Sequence, residues 1–391
     1  MYKIQHEKLA QAISILNEND VWITFVRETA HNSDPVLELI LGFGVTWHSA
    51  LIISGSGRKI AIVGRYEVES VRRMGGYDEV IGYDASIQPT LRAAIDELRP
   101  AQVLVNYSES DSAADGLSHG MCLTLARYLE GYPLASAESV ISALRGRKSP
   151  SEISRIRAAV DLTAQVIDSV TGLLRPGLSE VDIARHIHAE FDRHGVTPAW
   201  EPAHCPAVNC GPESPLGHTG PSADYIIQPG QLVHIDLGVK LDDYVSDIQR
   251  VWYLQPAGEQ DVPRAIQDAF RAVHGAIQAA ADVLRPGVQG WQVDQAAREH
   301  LVSTGYPEYQ HATGHHIGRT VHDGATALGP RWERYGQTPF GIVEAGNVFT
   351  LELGVSVPGY GAVSLEEDVL VTDSGIEWLM EPQTEPIVVP V

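Results

Sequence analysis

Two long motifs of this 391-residue chain are written twice, in the same order. Leu174-Arg-Pro-Gly-Leu178, with Val181 and Asp182 behind it, returns 110 positions later as Leu284-Arg-Pro-Gly-Val288, with Val293 and Asp294. Each copy then runs into an apolar strand. The first strand carries Val-His-Ile-Asp-Leu-Gly ending at Gly238, the second Phe-Thr-Leu-Glu-Leu-Gly ending at Gly354, and their acids, Asp236 and Glu352, stand 116 positions apart. Nearly equal offsets over two motifs point to one αβ unit duplicated about a pseudo-twofold axis. The expected class is α+β, with a sheet covered by helices.

The repeat occupies only the C-terminal part. Upstream, Leu9, Ile13 and Leu16 fall at helical spacing, Val21–Val26 reads as a strand, and Ala50–Ile53 with Ile60–Val63 read as a hairpin across Gly55-Ser-Gly57. A helix around Thr90–Leu98 and a strand at Val103–Val105 complete a mixed α/β reading with no catalytic cluster. Ser149-Pro-Ser-Glu152 then forms a capping box with proline at the first helical position. Arg145–Lys148 reads as a linker before it. The chain is thus divided into 1–148 and 149–391.

The repeated strands place carboxylates where they are costly. Asp236 lies among Val233, Ile235 and Leu237, and Glu352 among Phe349, Leu351 and Leu353. Each strand leads through glycine and tyrosine into a second acidic strand, giving Asp247 and Glu366. Taken singly, each acid reads as a solvated surface group. Four of them in matching register on facing hairpins would repel strongly unless divalent cations sat between them. Histidines stand between the two copies, in His311-Ala-Thr-Gly-His-His-Ile-Gly318 and at His322. Gly314 and Gly318 allow close backbone approach around His315 and His316. An imidazole with four carboxylates suits Mn, Co or Zn, and suits two ions about 3.5–4 Å apart that share a hydroxide.

Composition removes other classes. Fifty acidic against 28 basic residues give a formal charge of −22, the wrong sign for a nucleic acid or an anionic membrane. No stretch approaches ~18 apolar residues, and the N-terminus lacks the apolar segment of a secretory signal. Three cysteines (Cys122, Cys205, Cys210) suit a reducing compartment, so the expectation is a cytoplasmic protein. Cys205 and Cys210 have no second pair for a zinc knuckle, and the sequence holds neither a phosphate loop nor a Gly-x-Ser-x-Gly elbow.

These residues resemble the metallopeptidase family of methionine aminopeptidase, aminopeptidase P and prolidase (M24), from about Ser149 to the C-terminus. The first 148 residues are similar to the creatinase-type domain of aminopeptidase P and prolidase. The resemblance implies a pita-bread catalytic domain, a pseudo-twofold antiparallel sheet covered by helices. It implies Asp236, Asp247, His315, Glu352 and Glu366 as metal ligands, for two divalent ions, manganese first and cobalt or zinc as alternatives. It implies that His218, His311 and His322 contact the substrate, that Glu352 shuttles the proton, and that His322 and His218 stabilise the developing gem-diolate. The implied activity is hydrolysis of the Xaa-Pro bond of dipeptides or short peptides by a metal-bridged hydroxide, in a homodimer.

The sequence departs from the family pattern at three places near the ligands, the first being Leu353, which follows Glu352 where the family commonly has proline. Ser364 stands where proline-specific relatives carry an arginine, and Gln249 stands where the family often has threonine after Asp247. Arg331 or Arg334 could replace that arginine. Two other readings stay open: a relative that hydrolyses or cleaves a non-peptide small molecule with the same metals, and a metal-free binding scaffold.

Overall fold

The computed structural model describes residues 2–217 and 219–391. It divides into two compact units, Met1–Arg145 and Gly146–Val391. Among the described residues, no helix is long and apolar enough to cross a membrane.

The first unit is a mixed six-stranded sheet. Its strands are β1 (Asp20–Val26), β2 (Ser49–Ser54), β3 (Lys59–Gly64), β4 (Glu79–Tyr83), β5 (Gln102–Val105) and β6 (Leu134–Ser136), in the order β4-β3-β2-β1-β5-β6. The expected hairpin is β2–β3, antiparallel, and β5 lies parallel to β1. Apolar side chains fill both faces, Trp22 and Leu51 on one and Ile23 and Ile52 on the other. A sheet buried on both sides reads as continuous hydrophobic runs, which is why these strands were legible. A cluster of polar groups sits among them. Trp22 Nε1 donates to Asn106 Oδ1 (2.6 Å), so the Asn106 amide must turn its NH2 toward Thr24 Oγ1 and Asp34 Oδ2.

The second unit opens with α1 (Pro150–Leu173), capped as expected. Ser149 Oγ accepts from Glu152 N–H and Ser149 N–H donates to Glu152 Oε2. The preceding stretch is not a linker. The helix before it runs on to Gly146, and Lys148 is fully buried, its Nζ donating to Asp323 Oδ2 at 2.9 Å. A flexible segment would leave that ammonium in water. Here a buried partner holds it.

The duplication is visible in the backbone itself. After α1 the chain passes to α2 (Glu180–His194), and after α3 (Arg264–Val283) to α4 (Gly290–Ser303). Each passage is a Leu-Arg-Pro-Gly turn whose glycine adopts a left-handed φ, +90° at Gly177 and +92° at Gly287. Gly177 N–H donates to Ile227 O and Gly287 N–H to Val343 O, residues 116 positions apart, as in the repeat.

The copies meet in one seven-stranded sheet. Its main path runs β15 (Val348–Val357), β16 (Gly361–Val371), β12 (Ile248–Gln255), β9 (Leu232–Leu237) and β8 (Ala207–Cys210). The intervening short strands are β7 (Thr197–Pro198), β10 (Val239–Leu241), β11 (Tyr244–Val245), β13 (Gly314–His315) and β14 (Ala327–Leu328), while β17 (Ile376–Trp378) joins β16 and β18 (Ile387–Pro390) joins β12. Helix α3 lays Phe270, Val273 and Ile277 on the sheet residues Phe349, Leu351 and Leu365. Burying a side chain such as Phe270 contributes about 1.5–3 kcal/mol. The helices therefore cover one face, and the acids line the other.

Candidate metal centre

Sheet register brings the acids together. Glu352 pairs with Glu366 across β15–β16, Glu366 with Gln249 across β16–β12, and Gln249 with Asp236 across β12–β9. Cross-strand partners share a face, so these four side chains form one row. Asp247 enters from the turn before β12, and its backbone N–H donates to Asp368 Oδ2 at 3.1 Å.

The histidine arrives on a separate segment. Glu352 N–H donates to Thr313 O at 2.7 Å, which lays β13 beside β15. Glycine is required there: a Cβ on Gly314 would fall 2.0 Å from Thr350 O, and one on Gly318 1.8 Å from Asp323 Oδ2. His315 Nε2 then stands 3.6 Å from Glu352 Oε1, 3.8 Å from Glu366 Oε1 and 3.9 Å from Asp247 Oδ2. These separations exceed hydrogen-bond reach. They leave donor atoms arranged about a common point, and one atom each from Asp247, His315 and Glu366 lies within 4.8 Å of the others.

Electrostatics supports a cation there. Burial, then neighbouring carboxylates, raises Asp247, Glu352 and Glu366 above the ordinary carboxylate range. Burial likewise raises Asp236. Burial and nearby His322 hold His315 down at about 3, so its ring is neutral and its nitrogen can bind a metal. Asp236 Oδ1 and Glu366 Oε1 are buried without a hydrogen-bond partner. Glu367 offers the contrast. It points to the opposite face of β16, where Arg250 meets it at 2.9 Å. Acids with orphaned oxygens beside a neutral imidazole fit divalent cations, and a buried cluster of this kind is costly without them.

The other expected residues divide. His322 packs edge-on against His315, ring centroids 4.5 Å apart. His311 packs at a tilt against Tyr309, ring centroids 5.7 Å apart. His218 lies outside the described residues; earlier and later in the chain, Ser214 Oγ and the Ser222 N–H both donate to buried Glu180. His316, open beside His315 on spacing alone, turns away to pack on Phe349 at 4.0 Å. Arg331 lies over Trp291 and Arg334 over Trp332 and Tyr335.

Sequence reasoning missed Tyr309 and Asp368. The charges of Glu352, Glu366 and Asp236 act on the Tyr309 phenol, raising it after burial does. Asp368 follows the Glu366-Glu367 pair by alternation onto the acid face, with Oδ1 buried and unpartnered. Alternation along β16 was the signal that could have found it.

A duplicated sheet bearing such an acid and imidazole cluster defines a metal-dependent hydrolase class. Residues 154–373 match the model of metallopeptidase family M24, and the chain belongs to that family. An uncharacterized peptidase of Staphylococcus aureus (strain USA300) is 28% identical over 387 residues, covering 95% of this chain and 98% of its own length. The fold is similar to that of the Xaa-Pro dipeptidase of Bacillus anthracis, with a TM-score of 0.74, 23% identity, and coverage of 98% of this chain and 100% of that one. Dipeptidase PepE of Mycobacterium ulcerans gives a TM-score of 0.73 at 26% identity, covering 100% and 99%. The pita-bread architecture follows, preceded by the smaller mixed α/β domain.

Proposed function

We propose that this chain is an exopeptidase that hydrolyses the Xaa-Pro bond of short peptides, with Asp236, Asp247, His315, Glu352 and Glu366 holding two divalent ions, manganese in the first instance. The observation that carries the reading is the convergence of His315 Nε2 with oxygens of Asp247, Glu352 and Glu366 at 3.6–3.9 Å. Cations bound there would supply the Lewis acidity that polarises a scissile carbonyl and makes water nucleophilic at neutral pH.

The chain's own residues supply the rest. Glu352 is half-buried at the edge of the row, so its carboxylate can take a proton from the attacking water and pass it to the leaving nitrogen. His322 is exposed and lies against His315, placed to donate to the oxygen that becomes negative. His311, also exposed, and His218 are assigned to substrate contact. Ser364 is turned to Gln249 and Leu353 O, and it carries no charge for a proline carboxylate. That observation favours substrates longer than a dipeptide.

The test uses the full chain stripped by chelator and reloaded with Mn2+, assayed on Ala-Pro and Ala-Pro-Ala. Turnover should vanish on stripping, return on reloading, and be absent from His315→Ala. Absence of turnover on both peptides, with cleavage of a small non-peptide amide instead, would favour the non-peptide reading. Size-exclusion chromatography tests the homodimer that belongs to the same reading.

A further inference from the structure

Gln249 and Ser364, two of the residues near the ligands that depart from the pattern the resemblance implies, touch each other. Ser364 Oγ donates to Gln249 Oε1 at 2.6 Å, although 115 residues separate them. Gln249 lies in the acid row itself, in register between Glu366 and Asp236. Its amide nitrogen donates to Glu366 Oε2 at 2.8 Å and to Glu352 Oε2 at 3.2 Å. Carboxylates only accept, so the NH2 group must face them and the carbonyl must face the other way. There the oxygen meets Ser364 and also His234 Nε2, at 2.9 Å. The other ring nitrogen, Nδ1, lies 2.9 Å from Asn209 Oδ1, and the neutral imidazole, with one N–H, donates to one of these two carbonyl oxygens. Both hydrogens of the Gln249 amide are thus used, and its oxygen accepts from the Ser364 hydroxyl.

The geometry has a specific consequence. Gln249 holds the Oε2 atom of both glutamates, and it is the Oε1 atoms that stand 3.6 and 3.8 Å from His315 Nε2. One neutral amide thus decides which oxygen of each glutamate is presented to the cation site. We propose that Gln249, locked by Ser364, is the positioning residue that aims Glu352 and Glu366, and that Ser364 serves this lock rather than the substrate. The proposal rests on the metal-centre reading above. Partners that orient metal ligands typically change affinity 10–100-fold when removed.

The experiment measures Co2+ binding to the full, metal-stripped chain against a competing chromogenic chelator, with the visible Co2+ spectrum as a second readout of ligand geometry. Gln249→Leu should weaken binding about 10–100-fold and alter the spectrum. Ser364→Ala removes one hydroxyl from a strand that otherwise stays intact. It should weaken binding about three- to tenfold, the worth of one hydrogen bond. The double variant should bind no more weakly than Gln249→Leu alone, because Ser364 acts through Gln249. Wild-type affinity and spectrum in Ser364→Ala overturn the proposal, even if Gln249→Leu fails to fold, and so do losses that multiply in the double variant. A wild-type chain that takes up no Co2+ or Mn2+ removes the metal-centre reading itself and this proposal with it. Uptake by wild type with equal uptake by both variants removes the proposal alone.

Discussion

Glu366 and Glu367 are neighbours in β16, yet Glu367 meets the Arg250 guanidinium at 2.9 Å while Glu366 meets Gln249 and, at 3.8 Å, His315. One strand therefore carries a neutralised structural acid on one face and, on the other, a buried acid with an oxygen that no hydrogen bond satisfies. Stability and function pull apart at such a place. In the metal-free chain, Asp236→Asn and Glu366→Gln should raise the thermal midpoint, by relieving repulsion among buried carboxylates, while abolishing Mn2+-dependent turnover. Wild type at a hundredfold excess of Mn2+ over Kd should gain about 2.7 kcal/mol that these variants lack. A scan with and without chelator decides it. Variants that lose stability under chelator would contradict the repulsion argument.

Gly314→Ala should disable the centre without touching a ligand. Its Cβ would fall 2.0 Å from Thr350 O, so β13 must withdraw from β15 and carry His315 with it. Gly120→Ala is the control, because nothing lies within 4 Å of its Cβ. It should leave turnover intact and stabilise its helix (His119–Tyr128) by about 0.5–1 kcal/mol. Equal Co2+ affinity in Gly314→Ala and wild type would refute the close-approach argument.

Lys148 and Asp323 form a buried pair, with side chains 0% and 4% exposed. Asp323 Oδ2 also accepts from Arg319 N–H, so the pair pins the segment behind His315. Lys148→Met strands a buried carboxylate and should cost about 3–5 kcal/mol in urea unfolding. Lys148→Met with Asp323→Leu should recover most of that loss. A double variant no more stable than the single would show that the pair's charge is not what matters.

The first unit supplies a pH test away from the centre. Burial raises the pKa of Asp34, against the opposing hydrogen bonds from Val36 N–H and Asn106. A raised folded pKa means the folded chain binds more protons, so this contribution is complete below the unfolded value near 3.8 and disappears as pH rises through the folded value. Wild type should therefore lose stability relative to Asp34→Asn across that window. Urea midpoints at a series of pH values check it, and a constant difference between the two proteins would rule it out.

Much of this was legible because the duplication preserved motifs whole. Gly177 and Gly287 recur with the same left-handed φ because the Leu-Arg-Pro-Gly turn demands it in both copies. Tyr309 was not legible, since its nearness to the acids comes from the path of the chain after α4 rather than from any local pattern. Nor could spacing separate His315 from His316. Adjacent strand residues point to opposite sides, and only the pairing of β13 decides which ring faces Glu352 and which packs on Phe349.

By itself the sequence determined the repeat, the capped helix at Ser149 and the four acids that recur with it, because each is written in local spacing and composition. Tertiary structure alone decided that Gln249 stands between Glu366 and Asp236, that Ser364 turns to it, and that Lys148 is buried rather than part of a linker. Those facts depend on strand register and long-range burial, which bring Gln249 to Glu366, Ser364 to Gln249 and Lys148 to Asp323 across more than a hundred positions and leave no mark in either neighbourhood.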